Sequence, residues 1–110
     1  MKTPQLSILR GTLDVLALRA ISWRPLHGFE ISLWLEERSG GQLEVDDSAL
    51  YQSLHRLEAR ELVRGEWGVS ENNRRARFYR LTKAGERQLG HETEEWQKIA
   101  AAMTNALKAT

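Results

Sequence analysis

A chain of 110 residues, 41% hydrophobic and 28% charged, is long enough for one core but buries only about two thirds of its unfolded surface, so a second subunit would add to its stability. It has no cysteine, no run near the roughly 18 apolar residues of a membrane span and no leader pattern at its start, which argues against a disulfide framework, a membrane protein or a secreted one and points to the cytoplasm. The formal charge is only +1, yet residues 62–83 hold six basic and two acidic side chains, so the positive charge is concentrated in one place.

In chain order, Leu6, Leu9, Leu13, Leu16 and Ala20 recur at intervals of three and four, while Val15, Leu18 and Ile21 fill other faces. This predicts a first helix that is apolar nearly all round and therefore buried. It stops near Trp23, because Arg24 precedes Pro25 and is pushed out of the helical region. A second helix is expected over about residues 27–38, with Gly28, Ile31 and Leu35 on one face and the SGG at 39–41 ending it. Leu33 and Trp34 fall off that stripe, and the pattern does not assign them. His27 reads as a local hydrogen-bonding group at the start of this helix rather than as a ligand for a metal or effector. Asp46 or Asp47 can cap a third helix over 46–60, whose inward stripe is Leu50, Leu54 and Leu57.

Beyond Arg60 the period changes. LVRGEWGVS and RARFYRLT are short stretches rich in aromatic and β-branched residues, separated by Glu71, Asn72, Asn73 and Arg74, which is the pattern of a hairpin. Asparagine tolerates the left-handed backbone of tight connections, so Asn72 and Asn73 suit the tip. Thr82 can cap a last helix, along which Leu89, Trp96, Ile99, Ala100, Met103 and Leu107 trace an apolar stripe facing something outside a three-helix core. The expected fold is mainly α with a small two-stranded β-hairpin, a winged helix-turn-helix, in which the third helix enters a DNA major groove.

At about 100° per residue, Ser48, Tyr51, Gln52, His55, Arg56 and Ala59 lie opposite the inward stripe of the third helix. The polar members offer a hydroxyl, a phenol, an amide, an imidazole and a guanidinium that can reach base edges or phosphates: glutamine pairs bidentately with adenine and arginine with guanine, whereas tyrosine and histidine more often hold phosphates. The same face also fits an ordinary solvated surface. The hairpin shifts that balance, because Arg74, Arg75, Arg77 and Arg80 lie on or just after the turn, and at least the first three can project from the tip and one edge. Glu66 and Glu71 alone cannot neutralise these four and Arg64, so phosphates or a narrow minor groove are the expected partners of wing 71–77. The wing would supply sequence-independent attraction and the helix would supply the reading.

Catalysis is not indicated. His27, His55 and His91 fall on three different predicted helices without metal-ligand spacing, and the Gly40–Gly41 pair precedes no phosphate-loop lysine, so no metal or cofactor is expected. The rival reading is a winged-helix module that binds a protein, using the apolar last helix and the basic wing against an acidic partner.

Four stretches, GTLDVLAL at 11–18, PLHGFEI at 25–31, LYQSLHRLEAR at 50–60 and WGVSENNRRARFYRLTKAGERQL at 67–89, make the chain resemble the PadR family of bacterial transcriptional regulators over nearly its full length. The resemblance implies a winged-helix homodimer of the short subtype that binds an operator and usually represses transcription. It divides the chain into a DNA-binding part, 1–82, whose first helix also contributes to the dimer, and a C-terminal dimerisation helix, 83–110. The residues carried over as DNA contacts are Tyr51 and the wing arginines, joined by Ser48, Gln52, His55, Arg56, Asn72 and Asn73 from the two faces above. The expected dimer contact comprises Leu9, Leu13, Leu89, Trp96, Ile99, Met103 and Leu107. Some similar proteins stack a flat aromatic drug on a tryptophan matching Trp96, so Trp96 reads as interface packing with a small aromatic effector as the second reading. The chain departs from the family pattern in three places. Gln52 stands where LYP is common and adds a backbone donor and a base-reading side chain, Ala49 replaces a Ser or Thr, and Glu61 replaces the glycine that usually closes the recognition helix.

Overall fold

The computed structural model describes residues 12–109, in the order α1 (Thr12–Ala20), β1 (Leu26–His27), α2 (Gly28–Arg38), α3 (Asp47–Ala59), β2 (Val63–Val69), β3 (Arg75–Leu81) and α4 (Lys83–Lys108). Leu6 and Leu9 lie outside the described residues. Arg24 and Pro25 separate α1 from β1 as their backbone restrictions require. His27 then caps α2 in a reciprocal box: its Nδ1 accepts from the Glu30 amide at 3.3 Å, and its own amide donates to Glu30 Oε1 at 3.2 Å. The helix ends at the SGG, where Gly40 and Gly41 both take left-handed backbone angles.

Asp46, not Asp47, caps α3, its Oδ2 accepting from the Ala49 amide at 3.0 Å. The C-terminus of α3 closes in a Schellman turn, with the Leu62 amide donating to the Leu57 carbonyl and the Glu61 amide to that of Glu58, each at 2.9 Å. Glu61 sits at φ 60°, so the turn keeps the glycine geometry although the residue is not glycine. Glu61→Gly is therefore expected to raise stability by about 1 kcal/mol in urea unfolding, with no change in DNA affinity.

The sheet has three antiparallel strands in the order β1-β3-β2, one more than the expected hairpin. The added strand is two residues long, pairing Leu26 with Tyr79 and His27 with Phe78, too short to show any period in the sequence. Leu26 and Tyr79 are both buried, so this pairing ties the wing to the helical core. The hairpin turns through residues 70–74, with Asn73 left-handed at φ 57°.

Thr82 caps α4, its Oγ1 accepting from the Gly85 amide at 3.0 Å while its own amide donates to the Leu62 carbonyl at 3.1 Å. Gly85 packs so closely on Leu62 that an added Cβ would run into the Leu62 carbonyl oxygen, which fixes α4 against the end of α3. One core joins all these elements, including Leu18, Ile31, Leu35, Leu50, Leu54, Leu57, Val63 and Tyr79.

Leu13 and Leu89, expected in the dimer contact, belong to that core: each is under a tenth exposed in the single protomer, because α1 packs against both α3 and α4. The first two turns of α4 are thus part of the helical domain, whereas Trp96, Ile99, Met103 and Leu107 lie on the helix beyond it and are 48–78% exposed. Trp34 packs partly against the core beside Trp23, and Leu33 is exposed.

Candidate nucleic-acid interface

With Leu50, Leu54 and Leu57 turned inward, α3 leaves Ser48, Tyr51, Gln52 and His55 exposed on its outer side. Arg56, expected to join them, is half-buried and engaged. Its Nη2 donates to Asp14 Oδ1 at 2.7 Å and its Nε to Oδ2 at 3.3 Å, and the buried Ser53 hydroxyl donates to the same carboxylate at 2.5 Å. The hydrogen bond to Asp14 raises the Arg56 guanidinium above its ordinary range, against the opposing effect of burial. Asp14 on α1 thereby locks the orientation of α3. Asp14→Ala leaves the fully buried Ser53 hydroxyl without its acceptor and is expected to cost about 1–3 kcal/mol in urea unfolding, a deficit that Ser53→Ala in the same chain partly restores.

On the wing, strand alternation and register place Arg75, Arg77 and Tyr79 on one face of β3, with Trp67 directly opposite Arg77. Arg77 is also engaged, its Nη2 donating to Glu58 Oε2 on α3 at 2.6 Å, so it braces the wing against the recognition helix. That bond raises the Arg77 guanidinium above its ordinary range. Its neighbour Tyr79 is buried, which pushes the phenol up, with Arg77 acting the other way. Arg80, on the opposite face, pairs with Glu66 at 3.1 Å in an exposed bridge that contributes little to stability.

Among the described residues, Arg74, Arg75 and Arg64 have no carboxylate partner. Arg74 and Arg75 are exposed beside Asn72 and Asn73 at the tip. Arg75 lies over Trp67, its Cζ 4.4 Å from the ring centroid. Trp67, which sequence reasoning did not select, is 59% exposed at the wing. Its aromatic character was visible in the sequence, but its place beside Arg75 follows only from the strand register. A groove of about 330 Å³ runs between α3 and the wing, lined by Tyr51 and Asp47 on one side and Trp67, Arg75 and Arg77 on the other. Hydrogen-bonding groups of α3 and, at the wing tip, the unpaired guanidiniums of Arg74 and Arg75 therefore project from a helix and a hairpin that are bonded to each other.

Three helices with a hairpin braced on the third define a winged helix-turn-helix, a nucleic-acid-binding class. The sequence profile of the transcriptional regulator PadR-like family matches residues 17–91, and the chain belongs to that family. It is 29% identical over 92 residues to an uncharacterized protein of Lysinibacillus sphaericus, covering 84% of each chain. Its structure superposes on a PadR family transcription regulator from Clostridium difficile R20291 with a TM-score of 0.76 at 25% identity, over 88% of this chain and 99% of the other. A transcriptional regulator from Clostridium thermocellum shares the fold with a TM-score of 0.81 at 24% identity, over 90% of this chain and 93% of the other. The chain is thus a DNA-binding transcriptional regulator and not an enzyme. Among the described residues no helix is long and apolar enough to cross a membrane.

Proposed function

We propose that the protein is a homodimeric repressor of an inverted-repeat operator, with α3 in the major groove and the tip of the wing on the minor groove or backbone. The observation that carries this reading is the combination of exposed polar side chains on α3 with carboxylate-free Arg74 and Arg75 on a wing bonded to the same helix. In this reading Tyr51, Ser48 and His55 hold phosphates and Gln52 reads a base, while Arg74 and Arg75 with Asn72 and Asn73 follow the backbone. Arg56 and Arg77, already held by Asp14 and Glu58, support the two elements instead of contacting DNA.

The exposed stripe of Trp96, Ile99, Met103 and Leu107 supports dimerisation through α4, since a row of large apolar side chains on an extended helix is costly to leave in water. Where two such helices meet at Trp96, a planar aromatic effector that stacks on the indoles and alters the spacing of the wings would relieve repression. The experiment that tests the reading is selection of bound fragments from random duplex DNA. An inverted repeat with half-sites about one helical turn apart, roughly 34 Å, is the expected result. Recovery of fragments without any shared sequence would contradict it.

A further inference from the structure

We propose that Trp67 is a positioning residue for DNA binding: its indole holds the Arg75 guanidinium in the groove between α3 and the wing. The inference rests on the DNA-binding reading above and deepens it. Trp67 is a large apolar side chain left 59% exposed, so packing of the core does not account for it. The register pairs Val69 with Arg75 and Trp67 with Arg77, which makes Trp67 and Arg75 diagonal neighbours on one face, within reach of long side chains. Arg77 lies 5.6 Å from the same ring but is bound to Glu58, so that carboxylate is already occupied. Arg75 has no carboxylate among the described residues, and the ring face, 4.4 Å away, is what holds it.

The manner of holding matters. A carboxylate would occupy the in-plane N–H groups of a guanidinium and cancel its charge, as Asp14 and Glu58 do for Arg56 and Arg77. Contact with a ring face forms no ion pair. It orders the side chain before DNA arrives while leaving the whole charge available to a phosphate. The ordering cost of a long, flexible side chain then falls on folding and not on binding.

The test is a double-mutant cycle with Trp67→Leu and Arg75→Ala, read by fluorescence anisotropy on a labelled mixed-sequence duplex over a range of salt, with thermal melts of each variant. Trp67→Leu is expected to weaken binding about three- to tenfold with the melting temperature kept, and Trp67→Phe to lie between it and the parent chain. In the Arg75→Ala background, Trp67→Leu should cost nothing more. Because the charge remains, Trp67→Leu should leave the salt slope unchanged, whereas Arg75→Ala lowers it by about 0.9 for each phosphate that is no longer neutralised. Equal weakening by Trp67→Leu in both backgrounds, or none in either, overturns the proposal, the first because the indole then acts on DNA by itself. Failure of the parent chain to bind the duplex at low salt would instead remove the DNA-binding reading.

Discussion

Replacing Arg74 and Arg75 together by alanine is expected to lower the affinity for every duplex about 10²- to 10³-fold near physiological salt. The size follows from counterion release. Each phosphate neutralised contributes about 0.9 to the slope of log affinity against log salt, worth roughly fivefold at about 0.15 M, and a dimer loses four such charges. The slope should fall by about three to four in the same titrations, and the parent dimer should lose about 10³ to 10⁵ in affinity between roughly 50 and 200 mM salt if it makes 6 to 10 phosphate contacts. These two arginines are singled out because they lie exposed at the wing tip and lack carboxylates among the described residues, whereas Arg56, Arg77 and Arg80 are paired and Arg64 lies at the far end of the hairpin. Gln52→Ala should behave differently, leaving the slope intact and changing which sequences are preferred, since a bidentate contact to adenine discriminates by about 1–3 kcal/mol.

Met103→Asp is expected to weaken self-association at least about 10²- to 10³-fold, measured by sedimentation equilibrium, without lowering the melting temperature of the protomer. Met103 is 56% exposed on the part of α4 beyond the core, so the protomer loses nothing by the change, while a dimer would have to bury an unpaired carboxylate. Operator affinity should fall with the dimer, because the second half-site is then no longer bound at high effective concentration. The same substitution at Leu89 should instead unfold the chain, because that side chain lies in the protomer core.

The contrast between Met103 and Leu89 shows how far the sequence carries. Helical period identifies both as apolar positions on one helix, but it does not say whether the neighbour is α1 of the same chain or a second copy; in the protomer Leu13 and Leu89 pack into the core, while Met103 is left exposed. Boundaries were legible wherever one residue type forces the backbone: Pro25 between α1 and β1, the paired glycines after α2, Asp46 before α3 and Thr82 before α4. Strand β1 was not, since two residues have no period. At the site, the outward polar face of α3 and the arginines of the wing could be read from spacing. Which arginines were free could not, because their carboxylates come from distant parts of the chain. Arg56 finds Asp14 42 residues away and Arg77 finds Glu58 19 residues away, while the nearby Glu66 takes Arg80. Ion pairing between elements depends on how the helices and the wing pack, which local patterns do not encode.

In the proposed complex, two copies of this chain together present a helix and a cationic wing to one duplex. Sedimentation velocity of the protein mixed with a selected duplex measures this directly. Two chains per duplex, dissociating as salt rises, is the predicted result. One chain per duplex, or a protein boundary that sediments identically with and without DNA at low salt, would contradict it.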